Sequence, residues 1–159
     1  MPGDFRHGRI AGAERVPSDS QRAEMTELLK VLGEWLGFFF REGRYRLINA
    51  EVGGSFGDAL VEFASENLAW RLVRDRSQIF LDCRPMRGNP ESSEWFSADL
   101  LVRLCSGRRV DSAVLTEQMA HWFEENLSQI EERFSPGRLN ETAGDLKRLK
   151  SRRSRELFG

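Results

Sequence analysis

The chain has little of what catalytic or covalently stapled proteins use. Two cysteines (Cys83 and Cys105) and two histidines in 159 residues are too few for a disulfide framework or a zinc site, and no metal or other cofactor is implied. Both cysteines fall in apolar-periodic segments, where a free thiol packs as a small hydrophobe; a reducing, cytoplasmic compartment is the expectation. No apolar run approaches the roughly 20 residues of a membrane span, and the longest, residues 35–40, is interrupted by Gly37. A membrane partner is therefore not expected. Residues 1–20 lack the apolar segment of a secretory signal. An excess of one charge is missing as well: 24 basic side chains stand against 25 acidic ones, a net charge of -1. No global field argues for nucleic acid or acidic mimicry. No repeat of solenoid period is present.

What is there is an ordinary globular balance, with 40% apolar and 31% charged residues. A chain of this length buries roughly 70% of its unfolded surface, enough for one core. Residues 1–17 carry Gly, Pro and scattered charge without periodicity and read as a flexible extension, in which Arg6, His7 and Arg9 are solvated. One domain is expected over 18–159.

Ser18 and Gln21 have capping-box spacing. Met25, Leu28, Leu29, Leu32, Trp35, Leu36 and Phe39 follow as one helical stripe, and Gly37 ends the helix early. From Tyr45 to Arg84 the period changes to two. Residues 59–64, 68–74 and 78–84 alternate, with short turns at 65–67 and 75–77. Links this short force antiparallel neighbours. Glycines 53, 54 and 57 punctuate the first part of this block. They form no phosphate loop, because a strand follows and the lysine is absent; a turn or bulge is expected. The block reads as an antiparallel meander of about four strands. Its alternation sends Glu62, Arg71, Asp82 and Arg84 to an outer, solvated face.

After a Pro/Gly loop at 85–93, Trp95 and Phe96 stand before a short helix that Ser97 caps and Gly107 ends. Thr116 caps a longer helix whose stripe is Met119, Trp122, Phe123, Leu127, Ile130 and Phe134. Glu117, Glu124, Glu125, Glu131 and Glu132 occupy its other faces, and Ser135, Pro136 and Gly137 stop it. Asn140 caps a last, basic helix within 138–159. Residues 145–156 hold six Lys or Arg against Asp145 and Glu156. The fold class is α+β, with helices packed mainly on one sheet face.

The order of these elements, with the stretches FGDALVEF, WRLVRDRSQIFLD and ERFSPGRLNETAGDLKRLKSRRSRELFG, resembles a group of small bacterial proteins that are themselves similar to the immunity partners of bacterial toxins. The resemblance covers most of residues 50–159. It implies protein binding and assigns no functional residue.

Three functions fit this sequence. The leading one is a non-enzymatic protein-binding module, immunity-like or regulatory. It would use the outer face (Glu62, Arg71, Asp82, Arg84), the loop tryptophan Trp95 as an anchor, and the basic helix (Lys147, Arg148, Lys150, Arg152, Arg153). The second is nucleic-acid association through residues 145–155, although no aromatic residue interleaves with those charges. The third is an enzyme with a cleft near Asp75, Arg76, Asp82 or His121. It lacks any pairing of nucleophile and base in the sequence.

Overall fold

The computed structural model describes residues 16–54, 58–87 and 94–158. Most of the extension at 1–17, part of the glycine-punctuated segment (55–57) and part of the 85–93 loop (88–93) lie outside the described residues. The elements run α1 (Asp19–Trp35), a 3-10 turn (Gly37–Phe40), β1 (Arg46–Val52), β2 (Ala59–Ala64), β3 (Leu68–Asp75), β4 (Gln78–Pro85), β5 (Phe96–Ser97), α2 (Ala98–Ser106), α3 (Glu117–Arg133) and α4 (Leu139–Phe158). The strands form one antiparallel sheet in sequence order. The expected meander is present with a fifth strand added. β5 is two residues long and pairs Phe96 with Cys83 and Ser97 with Asp82, too short to show a period.

Alternation builds the core. Registered across β2, β3 and β4, Phe63 faces Trp70 and Cys83, while Val61 faces Leu72 and Leu81; all six are at most 1% exposed. Each such large side chain contributes about 1.5–3 kcal/mol by leaving water. α1 lays Leu28 and Leu32, with its C-cap Leu36, over this inner row, and the Arg74–Glu24 ion pair (2.5 Å) ties it to β3. Leu29 lies 48% exposed, off the seam assigned to it by spacing alone. α3 adds Phe123, whose ring meets Trp70 edge-on at 5.5 Å. Phe39, from the 3-10 turn, sits within 5.1 Å of the Tyr45, Phe63 and Trp70 rings, a geometry that adds to burial alone.

The boundaries follow local chemistry. Ser18 and Gln21 form the reciprocal capping box, Thr116 accepts the Met119 N–H, and Gly107 closes α2 at φ 71°, a conformation that favours glycine. Two caps differ from expectation. Ser97 occupies the N-cap backbone position of α2, but its hydroxyl makes no cap bond and donates instead to Asp99. α4 begins at Leu139, so Asn140 lies within its first turn. A tight turn in which the Arg138 N–H donates to the Ser135 carbonyl launches the helix.

The β3–β4 hairpin has a two-residue loop in which Arg76 and Ser77 take φ 50° and 67°. That is the primed geometry matching strand twist, normally filled by Asn-Gly. Here the Asp58 carboxylate, from the neighbouring strand's start, accepts the Arg76 N–H at 3.1 Å. An L-residue in this region loses roughly 1–2 kcal/mol. Ser77→Gly is therefore expected to stabilise the protein by about 1 kcal/mol, read as a raised urea midpoint at unchanged m-value.

Candidate functional site

The outer sheet row is the first candidate. Glu62, Arg71, Asp82 and Ser97 lie in one register line across β2 to β5. Arg71 donates to Asp82 at 2.8 Å, with the two side chains only 14% and 17% exposed. The expected solvated face is therefore largely covered at its centre. Trp95 covers it: the Arg71 guanidinium lies 4.4 Å and that of Arg84 4.8 Å from the ring centroid. Trp95 is half-buried, used within the chain rather than held out as a free anchor. Burial pushes the Asp82 carboxyl above its ordinary range, against the opposing pull of Arg71. Glu62 accepts a long bond from the Asn49 amide (3.4 Å).

The basic helix divides its charges by helical geometry. Leu146, Lys150 and Arg153 follow an i, i+4, i+7 spacing and so share one face. Leu146 is fully buried. Lys150 reaches Glu94 at 2.7 Å. One Arg153 nitrogen contacts the Ser97 hydroxyl (2.7 Å) and both Asp99 oxygens (2.9 and 2.7 Å). Asp99 is 5% exposed. Farther along, Arg103 of α2 makes two bonds, 3.0 and 3.2 Å, to Glu156, and these hold the Glu156 carboxyl below its ordinary range.

Arg148, Arg152 and Arg155 repeat the same spacing on the opposite, exposed side. Among the described residues Arg148 pairs only with its neighbour Asp145. Lys147, Arg152 and Arg155 make no ion pair among the described residues. The five helix cations singled out in the sequence thus part company: Lys150 and Arg153 fasten α4 to the domain, while Lys147, Arg148 and Arg152 face water.

Between α2 and α4 lies a cleft of about 240 Å³ lined by Asp99, Arg103, Arg109, Asp111, Arg153 and Glu156. Its charges are matched internally. Besides the pairs above, Arg109 stands 3.6 Å from Asp111 and 3.8 Å from Glu156.

The residues of the enzyme alternative are not brought together. Asp75 and Arg76 belong to the hairpin turn, whose backbone is satisfied by Asp58. Asp82 is paired with Arg71. His121 lies on α3 beside Glu124 (3.7 Å) and Glu125 (3.2 Å), lining a separate cleft that includes none of the other three. Burial pushes the Cys83 thiol well above its ordinary range, the opposite of an activated nucleophile. Among the described residues no group of three or more His, Cys, Asp or Glu side chains is placed to hold a metal ion, and no helix is long and apolar enough to cross a membrane.

One polar cluster escaped sequence reasoning. Glu131, expected on a polar face of α3, is 7% exposed. The Tyr45 and Ser65 hydroxyls both donate to the same Glu131 oxygen, and the Trp70 indole N–H donates to the Tyr45 oxygen at 3.3 Å. The network joins α3 to the start of the sheet. Residues 45, 65 and 131 are far apart in the chain; the signal in the sequence is that Glu131 lies one turn from both Leu127 and Phe134, on the apolar face of α3.

Two outcomes follow from these contacts. Arg153→Ala, which strands a buried carboxylate, is expected to destabilise the protein by about 2 kcal/mol. Arg148→Ala should change it by no more than roughly 0.5 kcal/mol; urea unfolding of both variants checks the contrast. Burial raises Glu131 above 4.5, so the native state binds its proton more tightly than the unfolded chain. Stability is accordingly lost as pH rises from 4.5 through the native value. In Glu131→Gln, whose amide oxygen still accepts both hydroxyls, that loss should vanish, measured as a flatter melting temperature against pH.

No family model, curated protein or solved structure matches the chain, so its function has to be read from its own side chains.

Proposed function

We propose that the chain is a non-enzymatic protein-binding module, immunity-like or regulatory in kind, which presents the outward stripe of α4 to an acidic surface on a protein partner. The observation that carries this reading is the division of α4. One set of basic side chains fixes the helix, and a second set at the same spacing, Arg148, Arg152 and Arg155, stays in water. A stripe held on an anchored helix loses little further freedom on docking, which favours affinity. Complementary charge then sets orientation and on-rate.

Phe158, three residues beyond Arg155 and 86% exposed, continues the stripe. An exposed aromatic beside arginines matches the composition of protein interfaces. Nucleic-acid association through Lys147, Arg148, Lys150, Arg152 and Arg153 is the weaker reading, because two of those five cations are already committed to Glu94 and Asp99.

The test is affinity capture from source-cell extract with the full chain and with an Arg148→Glu/Arg152→Glu/Arg155→Glu variant. A discrete acidic protein retained by the first and reduced at least roughly tenfold by the second is the expected result. Identical captures by both, or no protein captured by either, would refute the reading. Retained DNA or RNA whose binding weakens steeply with salt would favour the alternative.

A further inference from the structure

We infer that β1, an edge strand among the described residues, pairs with the β1 of a second copy, antiparallel about a two-fold axis, to make a dimer with one continuous sheet. The strand order leaves β1 at an edge, and its residues are exposed except for half-buried Val52. An open edge offers unpaired backbone groups to another strand. The question is which strand fits, and the β1 sequence answers it.

The register between β1 and β2 shifts between Leu47 and Asn49, so Ile48 is the extra residue of a bulge. Before the bulge Arg46 sits opposite Ala64 and Leu47 opposite Phe63; after it, Asn49 sits opposite Glu62, Ala50 opposite Val61 and Glu51 opposite Leu60. Phe63 and Val61 belong to the inner, core-facing row. Leu47 and Ala50 therefore share the inner side of β1, and Arg46, Asn49 and Glu51 share the outer side. Without the bulge, Arg46 and Glu51, five residues apart, would point to opposite faces.

Place the two-fold axis between Ile48 and Asn49. Arg46 then faces Glu51 of the second copy, and Glu51 faces its Arg46, on the same side of the sheet. Leu47 faces Ala50, again on one side. Shifting the register by one residue sets inner against outer side chains, which strand pairing does not tolerate where one face is apolar. The edge is thus self-complementary in charge and in face, as a closed two-fold interface requires.

The inner side has room for what arrives. An apolar groove of about 480 Å³ lies between α1 and β1, with Met25, Thr26, Ala50 and Val52 among its walls. Leu29, one turn beyond Met25 on the same helix, is 48% exposed. Leu47, 58% exposed, and Ile48, 46% exposed, project from the edge itself. In the paired arrangement the second copy's Leu47 stands opposite Ala50, at the mouth of this groove. Neither the α4 stripe nor its acidic partner enters this inference.

The experiment is sedimentation of the full chain over a dilution series, with two single charge reversals and their combination. Arg46 has no ion-pair partner among the described residues, and Glu51 accepts only an exposed bond from Asn49 (3.1 Å), so the monomer fold should survive each change, as circular dichroism will verify. The wild type should dimerise. Arg46→Glu and Glu51→Arg, each placing two like-charge pairs across the axis, should each weaken the dimer roughly tenfold. The double variant should restore it. Leu47→Asp gives an independent way to break the same contact. A wild type that stays monomeric at every concentration overturns the inference. So does a dimer indifferent to both reversals and to Leu47→Asp, or a double variant no tighter than the singles.

Discussion

The placement of α4 depends on a single buried carboxylate. Asp99 is 5% exposed at the start of α2, and a charge so placed is costly unless a cation meets it. Arg153 meets both of its oxygens and also contacts Ser97, so the C-terminal helix is held against β5 and α2 at one rotation. Leu146 and Lys150 fall on the same face and agree with that rotation. The outward direction of Arg148, Arg152 and Arg155 follows, because fixing one face of a helix fixes the opposite one. A helix held only by its thin apolar stripe would leave open which arginines point to solvent.

A half-buried ion pair also holds the covered outer sheet row. Alternation delivers Arg71 and Asp82 to adjacent positions on neighbouring strands, where they form an ion pair. Trp95 then closes over the guanidinium, so that the stacking ring and the carboxylate share one cation. The raised Asp82 carboxyl shows that burial there outweighs the favourable neighbour. Such a site resists solvent and contributes to specifying how the 94–97 segment returns to β4. It does not leave charge available for a ligand.

Much of this architecture was legible in the residues. The period of two through 59–84, broken by turn residues, located β2, β3 and β4 to within a residue, because one face of each is apolar and a slip would bury charge. The caps at Ser18, Thr116 and Gly107 were legible because their chemistry is local. What was not legible depends on chain segments meeting in space. β5 is too short to carry a period. The carboxylate that serves the 75–78 turn is Asp58, eighteen residues from Arg76. Glu131 lies one turn from Leu127 and Phe134, but nothing in its helix announces the tyrosine and serine opposite that satisfy it. Composition alone does not divide the basic helix; the positions of Glu94 and Asp99 separate its inward from its outward cations.

The β1 edge and the α4 stripe, neither covered by another of the described elements, sit at opposite ends of the sheet. Strand order puts β1 at one edge and β5, with the α4 clamp beside it, at the other. Pairing through β1 would therefore leave both α4 stripes uncovered, separated by the nine spacings of a ten-stranded sheet at about 4.8 Å each, on the order of 40 Å. Two identical cationic stripes on a rigid spacer can engage two acidic sites at once when the partner matches the span, and effective concentration then raises the apparent affinity without any new contact. Edge pairing and helix docking would thus be separable in mutagenesis yet reinforcing in function: the bulge at Ile48 would set the symmetry, and Asp99 the direction in which each copy presents its charge.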